Sequence, residues 1–94
     1  MSDYYDFCGS TWKVVYKKME DNGECDFDNE TIYINNTISN YRQQCALVHE
    51  LLHVWYDYIG VNDNEELVCK TEHGVLGLIL LFGGDVEASF TEIE

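Results

Sequence analysis

Proline is absent from this 94-residue chain and basic residues are scarce: five Lys and Arg face eighteen Asp and Glu, a formal net charge of −13. Without proline, chain reversals fall to Gly and Asn. With so few cations the chain lacks the clustered Lys and Arg that neutralise phosphates. That excludes direct nucleic-acid binding and argues against a role at anionic membrane surfaces. Long apolar runs are missing as well. The longest, Val75 to Phe82, contains Gly77 and falls far short of the roughly 20 residues that a membrane span needs. Met1-Ser2-Asp3-Tyr4-Tyr5-Asp6 has neither a basic region nor an apolar stretch, so no signal peptide is expected. Cys8, Cys25, Cys45 and Cys69 form no CxxC pair, and without an export signal free buried thiols are expected rather than disulfides. These absences point to a small, acidic, cytoplasmic protein.

What is present suffices for a packed core. Hydrophobic residues make up 46% and aromatics 14%, too much for a disordered chain, and the length allows a single domain over residues 1–94. Trp12 to Tyr16 is β-branched and aromatic, a strand pattern. Glu20-Asp21-Asn22-Gly23 is a turn signal. Glu24 to Phe27 and Thr31 to Asn35, separated by Asp28-Asn29-Glu30, have hairpin spacing. From Thr37 the period changes. Ser39 or Asn40 can cap a helix from about Tyr41 to Ile59, with Gln43 in capping-box register to Asn40 and Gly60 as the stop. Cys45, Val48, Leu52, Trp55 and Ile59 form its apolar stripe. A second helix is expected from about Asn64 to Phe82, capped by Asp63 with Glu66 in register and stopped by Gly83-Gly84. Strands first and helices after predict an α+β fold: a short antiparallel sheet packed on two helices. The tail, residues 85–94, reads as an edge strand around Ala88 to Thr91 or as loose chain.

The chemistry concentrates in the first helix. His49-Glu50-Leu51-Leu52-His53 is an HExxH, and residues four apart share a helix face, so both imidazoles can reach one metal ion. Glu50 projects about 100° round the helix from His49, beside the metal position, where a carboxylate can act as general base toward a water that zinc has made acidic. Short patterns recur by chance, but the flanks Ala46-Leu47-Val48 and Val54-Trp55 are apolar and fit a buried helix. The bland alternative is a core helix with two partly exposed histidines. A catalytic zinc site needs a third protein ligand. Glu65 shares a face with Val68, Glu72, Val75 and Ile79, the face expected to meet the first helix; Glu66 and His73 lie toward another side. Cys45 and Cys69 are expected to be small buried side chains, and Tyr56 and Tyr58 to cover the core edge or bond a substrate oxyanion.

The run Gly23 to Ile34, the block Gln43 to His53 and Glu65-Glu66-Leu67-Val68 together resemble the small phage and prophage members of the ImmA/IrrE-type zinc metallopeptidases. The similarity spans roughly Thr11 to Leu81, and the strand-then-HELLH block is its most specific part. The resemblance implies His49 and His53 as zinc ligands and Glu50 as catalytic acid/base. It implies an acidic third ligand at Glu65 or, with a one-residue shift, at Glu66. Cys69 and Thr71 depart from the family's usual acidic or amide residue and large apolar residue. His73-Gly74 is similar to the SprT-like proteases, whose third ligand is a histidine, at longer spacing. The implied activity is hydrolysis of a peptide bond in a protein or peptide substrate. Two rivals follow from the same residues. An acidic binding protein that occupies a basic, nucleic-acid-binding surface would bind its target in a salt-sensitive way, unaffected by His49→Ala. A purely structural zinc would tie the helices together without activity.

Overall fold

The computed structural model describes residues 2–62 and 64–81. Four strands, β1 (Ser2–Phe7), β2 (Ser10–Lys17), β3 (Gly23–Asp26) and β4 (Thr31–Asn35), precede two helices, α1 (Asn40–Ile59) and α2 (Glu65–Leu81). The architecture is the expected α+β. The wholly antiparallel sheet is not: its order is β1-β2-β4-β3, and the central β2–β4 pair runs parallel. Burial explains the insertion. Ile32 and Ile34 on β4 have no exposed surface, whereas β3 (Gly-Glu-Cys-Asp) offers little to bury and takes the edge. β3 therefore stands one strand away from β2, and β4 fills the slot between them. Residues 18–30 make the connection, about the dozen that a parallel crossover requires. The expected β3–β4 hairpin forms, held at its turn by Asp26, which accepts from the Asn29 backbone N–H at 3.2 Å and from Asn29 Nδ2 at 2.9 Å.

β1 had no counterpart in the sequence reading. It pairs antiparallel with β2 through the two-residue turn Cys8-Gly9, whose φ angles of 52° and 79° are those of the turn that suits strand twist. The signal was there in a Tyr-rich run and a two-residue reversal ending in Gly, but its acids masked the alternation. Tyr5 on β1 and Trp12 on β2 face each other in the register and are both buried.

α1 begins at Ser39, whose Oγ accepts from the Arg42 backbone N–H, while Gln43 Nε2 donates to the Ile38 carbonyl instead of closing a capping box on Asn40. It ends at Gly60 in the left-handed region, φ 78°. α1 packs on β3 and β4, and α2 packs on α1. That double contact widens the buried surface beyond one stripe: Ala46, Leu47, Val48, Glu50, Leu52 and Val54 are buried. Trp55 and Ile59, expected on the stripe, are 44% and 50% exposed: at that level of α1 the covered side is the one carrying Val54 and Tyr56. α2 starts one residue later than expected, with Asn64 as cap: its Oδ1 accepts from the Leu67 N–H at 2.8 Å. Asp63, Gly83-Gly84 and the tail lie outside the described residues. No helix among the described residues is long and apolar enough to cross a membrane. Ile32→Ala removes a side chain with no exposed surface and is expected to lower unfolding free energy by about 2–5 kcal/mol, read by urea denaturation.

Candidate metal centre

α1 projects His49 and His53 to one side one helical turn apart, with ring centroids 5.1 Å from each other. The Asn64 cap starts α2 so that Glu65, in its first turn, faces them. Glu65 Oε2 lies 3.0 Å from His49 Nε2 and Oε1 lies 3.0 Å from His53 Nε2. One ligand atom from each of the three residues lies within 4.8 Å of the others, so His49, His53 and Glu65 could hold a metal ion. The donor set fits a divalent cation. Two imidazoles and a carboxylate match the ligands of known three-residue sites, and ligand atoms of a tetrahedral ion with bonds of about 2.0–2.1 Å sit about 3.3 Å apart. The two 3.0 Å contacts, one to each oxygen of Glu65, are near that spacing, and the three ligand atoms all lie within 4.8 Å.

Of the three candidates on α2, only Glu65 meets both imidazoles. Glu66 is exposed and pairs with Lys70 at 2.9 Å, one turn along the same helix. His73 is exposed and stands outside the group. The face carrying Glu65 does turn toward α1: Val68 has no exposed surface, Glu72 and Val75 are half-buried, and the Ile79 side chain lies outside the described ones.

Glu50 is 8% exposed and abuts β3 at Gly23, where an added Cβ would lie 3.2 Å from both its Cγ and its Oε2. Burial raises its pKa above the ordinary carboxylate value; the imidazoles of His49 and His53 oppose the shift, and Glu65 and Glu24 add to it. An open cleft of about 750 Å³ exposes this group. Residues 20–23 form its sheet-side wall, Arg42 to His53 its floor on α1, and Glu65, Cys69 and Glu72 its far side. Sequence reasoning did not find that wall, because only the strand order brings residues 20–23 against α1.

The cysteines are free, as expected, but not buried: Cys8, Cys25 and Cys45 are half-buried. Cys69, expected to be buried, is exposed: one turn after Glu65, it lines the open cleft. Cys25 is no rival nucleophile: burial, then Glu50, Asp26 and Asp57, push its thiol up to about 12. The tyrosines face elsewhere. Thr71 Oγ1 donates to the Leu67 carbonyl, so Tyr56 Oη must be the donor in its 2.6 Å bond to Thr71. Tyr58 is 64% exposed and borders the turn at Gly9.

Set against known protein families, curated proteins and solved structures, the chain matches none of them. The functional reading therefore rests on the arrangement of its own residues.

Proposed function

We propose that this chain is a minimal zinc-dependent peptidase of the ImmA/IrrE type, acting on an extended segment of a protein substrate. The observation that carries the reading is the convergence of two imidazoles and a carboxylate beside a buried, cleft-facing Glu50. His49, His53 and Glu65 would hold the metal. Zinc bound there would polarise the scissile carbonyl and bring the pKa of a water near 7. Glu50 takes a proton from the attacking water on a carboxylate oxygen and returns it to the departing amine nitrogen.

The edge strand supports the substrate class. Asn35 N–H donates to the Asn22 carbonyl at 2.9 Å, and in the antiparallel register the inward-bonded residues alternate. Asn22 and Glu24 thus direct their backbone groups to β4, while Gly23 and Cys25 direct theirs outward. β3 ends the sheet, so those N–H and C=O groups are available to an extended peptide, and Gly23 stands beside Glu50.

The test is incubation of zinc-loaded protein with a peptide library read by mass spectrometry. Cleavage that disappears in His49→Ala and on chelation supports the reading; a fully loaded protein that cuts nothing overturns it. Gly23→Ala probes the same geometry. Its methyl would press on Glu50 and on the Tyr33 carbonyl 3.3 Å away. Zinc content should be unchanged and kcat/KM should fall about tenfold as Glu50 is displaced.

A further inference from the structure

His49 is held at both ring nitrogens. Its Nε2 faces Glu65, and its Nδ1 lies 2.9 Å from Oε1 of Glu72. The two carboxylates stand seven residues apart on α2, two turns along one face, so a single helix presents one to each side of the same ring. Their surroundings differ sharply. The Glu65 side chain is 72% exposed at the cleft mouth, whereas that of Glu72 is 16% exposed between the helices, close to the 18% of His49.

We infer that Glu72 is a positioning residue for the metal centre. Accepting a hydrogen bond from Nδ1–H, it fixes the His49 ring orientation and selects the tautomer that leaves the Nε2 lone pair free for the cation. A carboxylate behind a ligating imidazole also increases the basicity of the opposite nitrogen, and loss of such a partner typically weakens metal affinity 10–100-fold. The partial burial of the pair favours the bond, since little water competes for either group. Glu65 remains the ligand because its two carboxylate oxygens reach both His49 and His53. Glu72 meets the face of His49 that points away from the shared position.

This inference rests on the metal-centre reading above, and the experiment separates the two. Zn²⁺ and Co²⁺ are titrated into wild type, Glu72→Gln and Glu72→Leu by competition with a chromophoric chelator, with circular dichroism and urea unfolding of the metal-free proteins alongside. Wild type is expected to bind one ion. Glu72→Leu, similar in size but without an acceptor, should bind 10–100-fold more weakly with an altered Co²⁺ visible spectrum. Glu72→Gln keeps an acceptor oxygen for Nδ1–H and should recover part of the loss. A contact that merely joined the helices would lower metal-free stability in both variants without this graded order of affinities. Equal affinity in all three proteins overturns the role of Glu72 while leaving the metal centre standing. Failure of wild type itself to bind either ion overturns both.

Discussion

Glu50→Gln should leave zinc stoichiometry at one per chain and reduce cleavage by at least 10²–10⁴-fold, the range a positioned general base contributes. The substitution keeps the shape of a side chain that is 8% exposed and wedged against Gly23, so the fold has little reason to change. What it removes is the ability to accept a proton beside the metal position. The direction of the stability effect is a second check. Burial raises the folded pKa of Glu50, so in the metal-free protein it lowers stability as pH rises from its unfolded value through the folded one, and that cost is in full force above. Metal-free Glu50→Gln should therefore be no less stable than wild type at neutral pH, as measured by urea unfolding. Undiminished cleavage by loaded Glu50→Gln would falsify the proton-transfer role.

His53→Ala and Glu65→Ala are expected to lose zinc beyond the 10–100-fold typical of an outer partner, because each removes one of three ligand atoms. Glu66→Ala and His73→Ala should bind as wild type does; Glu66 pairs with Lys70, and His73 lies outside the group. Metal should also contribute to stability by mass action. Free zinc at a thousandfold excess over its dissociation constant adds about 4 kcal/mol, and chelation should withdraw it. The sheet should survive chelation, since Val14, Ile32 and Ile34 are fully buried without reference to the metal group. Circular dichroism before and after chelation checks this. Wholesale unfolding would instead favour a zinc that serves only to tie α1 to α2. Zinc retained by Glu65→Ala and lost by His73→Ala would move the third ligand.

Local chemistry made much of this legible. The turn at Gly60, the β3–β4 hairpin and the extent of α1 each depend on a few adjacent residues, and the HExxH spacing puts two imidazoles on one face wherever that helix lies. The α2 face carrying Glu65, Val68 and Glu72 was legible for the same reason. β1 was not, because its alternation is weak and its stability comes from partners on β2.

Determined by sequence alone, then, were the α+β class, the helix that carries His49, Glu50 and His53, and a short set of acids and a histidine from which a third ligand could come. Tertiary structure alone decided the rest. Neighbouring helical positions differ by about 100° in direction, so periodicity favoured Glu65 over Glu66, but only the way α2 crosses α1 puts Glu65 against both imidazoles. Strand order was settled by competition for burial, which put Ile32 and Ile34 at the centre and left Gly23 at an edge against Glu50. Glu72 acquired a partner 23 residues away for the same reason: periodicity places a side chain on a face, and only packing determines what that face meets.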